Sequence, residues 1–595
     1  MSKTILSFIH KKIINTKINA SVLDCFFSLL ILYISTKTLV PSHDIILNKN
    51  FPDAVIKFLW LSSPLLFFYF TLRACKLPIF LCFYFVCLVI ILLSFANNTK
   101  MSLTDQPLSY NDIVSTVNIT VAYRYISFKL LIVGVFSVLG GMALVPLSKI
   151  VIDTRSNYIF IIFLLLMIFP YSFSPYAEEI FGEGNGFANF IQDQARKRDV
   201  VYFSWDPVGN VKDHGLAMHL IQTSVRKSVP KVTDDERNAY LNIKKNNSSQ
   251  PVNYKTIVYI LCESCWYDES HFKDIFKPLL SNGYTGFRSI SPVYGAGTAN
   301  SEFEMLTGLP SNSNVLSGII YQEYSDAIKD NSDSLASSLK LKGFNTYAAH
   351  NNSKTFWRRN VIYKKFGFEQ FDGFSDMGSL PQVYARNKKP WQWQADDYLL
   401  YNSALQKIKE SHADGKNIFL NLITMSTHGP YMHINDSGEG VYSYELNEAI
   451  ERLTQFTKEL EKIDPDAVIV IYGDHKPALN KYFYENGVFP SSFFTKTGLK
   501  DEDFEFKSGL LPKEYGDVPV LIKSSDKKKV EKVVTEAKNK PFFCTTAFID
   551  KNFIHSGLVA FNYNLEHFCK EKDNVYDKKS VITPSWIYSM ALFEN

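Results

Sequence analysis

Hydrophobic and polar positions divide the chain in two. Five apolar runs precede residue 178: Val22–Val40, Val55–Leu72, Leu77–Phe95, Ile126–Val145 and Tyr158–Tyr171. A helix needs about 20 apolar residues to cross a bilayer core. The first four runs reach or approach that length, and the fifth does so if Tyr158, Tyr171 and Tyr176 extend it at the interface. Five such runs leave too little polar surface for a soluble domain, so residues 1–178 are predicted as a transmembrane region of about five helices. Lys and Arg in the short loops set the orientation. Lys3, Lys11, Lys12 and Lys17, then Arg73 and Lys76, then Lys149 and Arg155 share one side of a five-span topology. That side is expected to be cytoplasmic, which exports everything after residue 178. No cleavable signal peptide is evident, because the first apolar run begins late and lacks a small-residue cleavage pattern.

Residues 179–250 read as a linker. Its stretch from Gly182 to Asp199, with Phe187, Phe190 and Ile191 among Gln, Arg and Lys, predicts either an interfacial helix or a plain solvated linker. From 251 to 595 the pattern changes to apolar β-rich runs alternating with helical periods. Thr256–Leu261, Thr346–Ala349, Ile418–Thr424 and Ala467–Tyr472 are predicted strands; Ser334–Lys342, Asp396–Glu410 and Tyr444–Ile463 are predicted helices. Such alternation predicts an α/β domain with a mostly parallel central sheet. The segment from Pro541 onward is expected to add strands beside this core.

Composition changes this picture little. The net charge of +4 over 595 residues excludes a protein that coats polyanions, and 15% aromatic residues exclude wholesale disorder. Of eight cysteines, Cys25, Cys75, Cys82 and Cys87 fall in or beside the apolar runs, while Cys262, Cys265, Cys544 and Cys569 fall in the exported part. Disulfides persist there, and Cys544 with Cys569 is one candidate pair. Cys262 and Cys265 are not followed by a second Cys/His pair at zinc-ligand spacing.

Ligands of doubly wound sheets bind beyond the carboxyl ends of the strands. Four predicted strands run into polar residues there: Cys262 into Glu263, Gly473 into Asp474-His475, Ala349 into His350, and the strand near Leu422 into Ser426-Thr427-His428-Gly429-Pro430. Two carboxylates and three histidines at one sheet edge suit a divalent cation. Each alone reads more readily as a helix cap or turn. Between two of them lies Gly295-Ala296-Gly297-Thr298-Ala299-Asn300-Ser301-Glu302-Phe303-Glu304, where Ser301 and Glu304 have capping-box spacing. Thr298 is therefore expected at or just before a helix N-terminus, where the dipole favours negative charge. Next to a metal its hydroxyl becomes a usable nucleophile.

The run Gly297-Thr298-Ala299-Asn300-Ser301-Glu302-Phe303-Glu304-Met305-Leu306-Thr307-Gly308 resembles the lipoteichoic acid synthase and phosphoglycerol transferase family, within the alkaline phosphatase/sulfatase superfamily. Glu263-Ser264, His350 through Arg359, Ser426 through Tyr431 and Tyr472-Gly473-Asp474-His475 carry the same resemblance in the same order. It implies that Glu263, Thr298, Asp474 and His475 hold one metal ion, Mn²⁺ before Mg²⁺ or Zn²⁺, with Thr298 as nucleophile. It implies also that His350, Trp357, Arg359 and His428 bind the phosphorylated head group, with His428 serving as acid or base or merely binding phosphate. Arg359 rather than Arg358 fits the family's Phe-Trp-x-Arg spacing. Two departures stand out: Trp393-Gln394-Ala395-Asp396-Asp397 where many relatives have Trp-Gly, and the stretch after Pro477.

The function expected from this resemblance is transfer of a phospholipid head group, phosphoglycerol or phosphoethanolamine, to a hydroxyl of an exported glycan or glycolipid. The expected partners are phosphatidylglycerol or phosphatidylethanolamine, that acceptor and the membrane, with no nucleic acid. The expected location is the bacterial cytoplasmic membrane, multi-pass, with the catalytic domain outside. A phosphodiesterase using water is one alternative, and a non-catalytic membrane-anchored glycan-binding protein is another. A true sulfatase would carry Cys or Ser in a Cys/Ser-x-Pro-x-Arg motif, and neither Cys262 nor Cys265 lies in one.

Overall fold

The computed structural model describes residues 18–39, 51–104, 185–197, 207–224, 229–246, 250–380, 394–431, 437–570 and 583–594, with scattered positions between these ranges and small gaps at 314, 317 and 508–509. The chain forms two compact units, Met1–Lys227 and Ser228–Asn595.

In the first unit, helices α1 (Ala20–Leu39), α2 (Phe51–Ala74) and α3 (Ile79–Thr104) correspond to the first three apolar runs. They pack on one another through Phe27, Ile31, Tyr69, Cys82 and Val86. Asp24 of α1 accepts hydrogen bonds from Tyr69 Oη at 2.7 Å and Arg73 Nε at 3.0 Å, so the charge on α2 is paired across the helix interface. Among the described residues two helical stretches, Ser21–Leu39 and Ile79–Asn98, are long and apolar enough to cross a membrane. The expectation of five is thus met in two. α2 has the length, but Asp53, Lys57, Arg73 and Ser62-Ser63-Pro64 dilute its apolar character. The runs Ile126–Val145 and Tyr158–Tyr171 lie almost wholly outside the described residues. Helix α4 (Gly186–Lys197) falls in the predicted interfacial stretch, with Phe187 and Phe190 more than half exposed.

The second unit begins earlier than the expected boundary at 251. Helix α5 (Asp234–Asn246), inside the predicted linker, is tied to the domain by Arg237 with Glu594 and by Lys244 with Asp333. Next follow β1 (Thr256–Cys262), β2 (Thr285–Ile290), α6 (Thr298–Thr307), α7 (Leu335–Leu341), β3 (Asn345–His350), α8 (Arg359–Lys365), β4 (Gln370–Gly373), α9 (Asp397–Ala413), β5 (Ile418–Ile423), α10 (Gly438–Ile463), β6 (Val468–Gly473), β7 (Asp517–Lys523), β8 (Lys540–Pro541) and α11 (Phe542–Ile549). The eight strands make one sheet in the order β8-β2-β7-β6-β1-β5-β3-β4. All neighbours are parallel except β7, which runs antiparallel to both β2 and β6.

The four predicted strands are the centre of this sheet. β1, β5 and β6 are buried at every position, as expected where helices cover both faces. The C-terminal segment differs from expectation. After the two-residue β8 it is helical, with α11 wholly buried and Ser585–Leu592 forming a further helix. A continuous apolar run such as Phe542–Ile549 has no period that separates a buried strand from a buried helix. The Cys544–Cys569 disulfide joins α11 to the segment that follows it.

Candidate active site

The carboxyl ends of β1 and β6 are neighbours, and their sequences continue into Glu263 and into Asp474-His475. One donor atom from each of Glu263, Asp474 and His475 lies within 4.8 Å of the others, and all three side chains are buried. His475 Nε2 is 3.1 Å from Asp474 Oδ2 and 3.7 Å from Glu263 Oε1. Two glycines set up this meeting. A Cβ on Gly473 would lie 2.0 Å from the Cys265 carbonyl oxygen, so only glycine lets the β6 end press against the loop after β1. Gly297, at φ 90°, is the residue before the first turn of α6 and turns the chain so that Thr298 is that helix's first residue. Thr298 Oγ1 donates to Glu263 Oε2 at 3.4 Å.

Ser301 and Glu304 do not form the expected capping box. Ser301 Oγ instead donates to the Asp474 carbonyl at 2.8 Å, joined by Ser291 Oγ at 2.5 Å. Glu304 Oε1 accepts from Ser311 N and Oγ. Both side chains are buried and thus spent on tertiary contacts. Ser264 and Thr427, present in the motifs but given no role there, position the trio. Asp474 Oδ1 accepts from Ser264 N at 2.7 Å, Glu263 Oε1 accepts from Ser264 Oγ at 3.0 Å, and the Thr427 hydroxyl donates to the Glu263 carbonyl. Cys262 and Cys265 form a disulfide around Glu263 rather than half of a metal site.

Burial and then the neighbouring Asp474 charge push the Glu263 carboxyl up to about 8. Two adjacent buried carboxylates repel, and a cation between them removes the conflict. Asp474 Oδ2 is buried and has as its near polar neighbour His475 Nε2, itself one of the trio, an arrangement that fits a metal ligand. Hard oxygen donors with one imidazole suit Mn²⁺, Mg²⁺ or Zn²⁺.

Beside this trio lie the groups that the resemblance assigns to phosphate. His350 ends β3, and its Nδ1 is 3.4 Å from an Arg359 terminal nitrogen. Burial first, then the charges of Arg359 and His428, hold His350 well below the usual histidine range, so it is neutral at pH 7. Arg359 is committed more fully than its motif suggests. Its Nε and one terminal nitrogen bind the Glu302 carboxylate, and Tyr363 Oη donates to the same group at 2.5 Å. Only the other terminal nitrogen faces His350. Trp357 has φ 55°, packs with its ring 4.9 Å from the Arg359 guanidinium, and carries a buried Nε1 without a hydrogen-bond partner. His428 Nδ1 is 2.7 Å from the Gly429 carbonyl, and the His428 carbonyl accepts from Gln394 Nε2.

Asp397, which in the sequence falls in the predicted helix Asp396–Glu410 and in the departure at 393–397, has a further role. Its buried carboxylate accepts from Met425 N, Ser426 N and Asn351 Nδ2, which ties the His428 loop to the His350 loop. Lys476, next to His475, is likewise structural. Its Nζ donates to the Tyr515 and Asp517 carbonyls between the rings of Trp266 and Phe489, and burial pushes it down to about 7.

Residues 255–550 match the sulfatase family. Within the alkaline phosphatase/sulfatase superfamily the chain is lipoteichoic acid synthase-like. It is 31% identical over 226 residues to a lipoteichoic acid synthase of Staphylococcus saprophyticus, covering 34% of this chain and 31% of the relative. It is 27% identical over 233 residues to a Rhizobium meliloti protein named for cyclic β-1,2-glucan modification, covering 36% of this chain and 34% of the relative. The chain therefore spans about a third of the length of these curated relatives. Among solved structures, the phosphoglycerol transferase GacH of Streptococcus pyogenes aligns with a TM-score of 0.42 at 18% identity, over 62% of this chain and 96% of that one. The stretch that matches the sulfatase family thus includes every residue of the candidate site, from Glu263 to His475.

Proposed function

We propose that the chain is a membrane-anchored transferase that moves the phosphorylated head group of a phospholipid, by way of Thr298, onto a hydroxyl of an exported glycan or glycolipid. The head group is phosphoglycerol, with phosphoethanolamine the alternative. The observation that carries this reading is the position of Thr298: a hydroxyl on the first residue of α6, hydrogen-bonded to Glu263 beside Asp474 and His475. A helix N-terminus favours the negative charge that a nucleophilic oxygen and a phosphate bring.

Glu263, Asp474, His475 and Thr298 would hold the metal ion, Mn²⁺ by resemblance. Bound there, it supplies positive charge that favours the alkoxide form of a hydroxyl and screens phosphate oxygens. Thr298 Oγ1 loses its proton and attacks phosphorus. The bond from phosphorus to the diacylglycerol oxygen breaks, and that oxygen takes up a proton, leaving the head-group phosphate esterified to Thr298. An acceptor hydroxyl then attacks the same phosphorus and gives up its proton, and Thr298 Oγ1 leaves and is reprotonated. No net proton is gained or lost. In this scheme His428 would exchange protons with the leaving and attacking oxygens, whereas neutral His350 and the free edge of Arg359 would offer hydrogen bonds to phosphate oxygens.

The cysteines and helices support a catalytic domain outside a bacterial cytoplasmic membrane, reached by a multi-pass anchor. Cys262–Cys265 and Cys544–Cys569 are disulfides in the catalytic unit, while Cys25, Cys75, Cys82 and Cys87 in the helical unit are free. Lipid tails leave a bilayer at high cost, so an anchored site meets its donor at the surface. The test is diacylglycerol release from phosphatidylglycerol or phosphatidylethanolamine vesicles with Mn²⁺. Release by the wild type and none by Thr298→Ala supports the reading; equal release by both overturns it. Release without glycan would identify water as an acceptor.

A further inference from the structure

Beside the candidate site a cleft of about 380 Å³ opens between the Gly429–Tyr431 segment, the start of α10, the segment after Pro477 and the hairpin of Phe494–Lys496 with Phe504–Phe506. That places it at the departure from the family pattern that follows Pro477. Its walls are chemically one-sided. Glu439, Asp501 and Glu505 line it together with Tyr431, Tyr482 and Phe504, and no Lys, Arg or His is among the lining residues. No ion pair neutralises these three carboxylates among the described residues. Glu439 raises the Tyr482 hydroxyl pKa, after burial, which places its charge beside that ring.

The cleft is walled by the segments that carry the reacting groups. Gly429 follows His428, and Ala478 comes three residues after His475. A Cβ built on Gly295 would sit 3.2 Å from Ala478 Cβ, and Gly295 N donates to the Lys476 carbonyl at 3.2 Å, so the cleft wall touches the loop that delivers Thr298. Phe506 stacks on Tyr294, the residue before that loop, at 4.0 Å. Across the cleft, Gly438 brings α10 close to Asp501: a Cβ there would be 3.9 Å from Asp501 Oδ2.

We propose that this cleft binds the acceptor, and that the acceptor segment it takes is an uncharged oligosaccharide. This rests on the transferase reading above. Ionised carboxylates only accept hydrogen bonds, so they select a ligand rich in donors such as sugar hydroxyls. The half-buried Tyr482 ring offers an apolar face to the C–H face of a sugar ring, with the buried Tyr431 and Phe504 backing the wall. Three unneutralised carboxylates repel a polyanion, which disfavours a growing glycerol phosphate chain as acceptor. A volume of 380 Å³ lies in the range of small-molecule sites, roughly 300–1,000 Å³, and is far larger than a single ammonium group fills.

The test uses the full chain in detergent, carrying Thr298→Ala to block turnover, and titrates it calorimetrically with a panel of neutral glucose hexasaccharides of different linkage. A glycerol phosphate hexamer and ethanolamine serve as competitors. At least one hexasaccharide should bind, with neither competitor displacing it. Adding Glu439→Ala, Asp501→Ala or Glu505→Ala should each weaken binding about tenfold, through loss of a charge-assisted hydrogen bond. These positions are exposed or half-exposed, so the variants should fold, and thermal unfolding checks it. The proposal is overturned if no hexasaccharide binds, if all three variants bind as before, or if either competitor displaces the sugar. Diacylglycerol release by the wild type reports the donor half separately. Release without sugar binding would sink the cleft and spare the reaction; binding without release would do the reverse.

Discussion

The pair Arg359–Glu302 offers the sharpest quantitative test, because motif and structure give the arginine different principal partners. Both side chains are buried, at 1% and 0% exposure. Burial alone would lower the guanidinium pKa, and Glu302 more than offsets it. Replacing Glu302 by Gln keeps the volume but leaves an uncompensated cation in the core and removes an acceptor of Tyr363 Oη. Breaking such a pair from one side costs about 3–5 kcal/mol, whereas removing both charges together is often close to neutral. The variants Glu302→Gln, Arg359→Met and the double substitution form a thermodynamic cycle, read by urea unfolding of the full chain in detergent with tryptophan fluorescence. Each single variant should lose about 3–5 kcal/mol, and the double should lose clearly less than their sum. If Arg359 were chiefly a phosphate ligand, Glu302→Gln would cost less than about 1 kcal/mol and Arg359→Met would affect turnover alone. Single losses that add would refute the pairing.

Mn²⁺ should raise the unfolding temperature of the wild type, by the equivalent of about 2.7 kcal/mol at a hundred times its dissociation constant. Asp474→Asn should abolish that shift, yet without metal it should be no less stable than the wild type, since Glu263 loses its like-charged neighbour. Gly473→Ala should fail to fold or fail to show the Mn²⁺ shift, because its Cβ collides with the Cys265 carbonyl. Glu445 is pushed up to about 8 by burial, then by Glu448. An acid with a raised folded-state pKa loses stability as pH climbs from its unfolded value toward the folded one. Unfolding temperature should therefore fall between about pH 4.5 and pH 8 and level off above, and Glu445→Gln should flatten that decline. Replacing Cys544 and Cys569 by Ser opens a loop of 25 residues and should cost about 3 kcal/mol in urea unfolding.

The centre of the fold was legible because the sheet is parallel there. β1, β3, β5 and β6 are short apolar runs whose ends turn abruptly polar, and in a doubly wound sheet those ends must meet. Glu263, His350, His428 and Asp474-His475 are therefore readable as one edge from the sequence alone. The strands flanking this parallel centre on one side were less legible. β2, Thr-Gly-Phe-Arg-Ser-Ile, has only two large apolar residues, and Pro519 inside β7 argues against a central strand although β7 pairs on both sides. The capping-box reading of Ser301 and Glu304 failed because spacing is local, while both side chains found buried partners far away in sequence. Glu302 was invisible as the partner of Arg359 for the same reason: 57 residues separate them, and no periodicity links them.

The central claim is that Thr298 carries the transferred group. It is tested most directly by incubating the chain with Mn²⁺ and phosphatidylglycerol or phosphatidylethanolamine vesicles, quenching in acid, and mapping the peptide that contains Thr298 by mass. The account predicts a phosphoglycerol or phosphoethanolamine ester on that residue, lost again on adding the acceptor glycan and absent from Thr298→Ala. An unmodified Thr298 peptide in a sample that has turned over its lipid, or an ester on another residue, would contradict it.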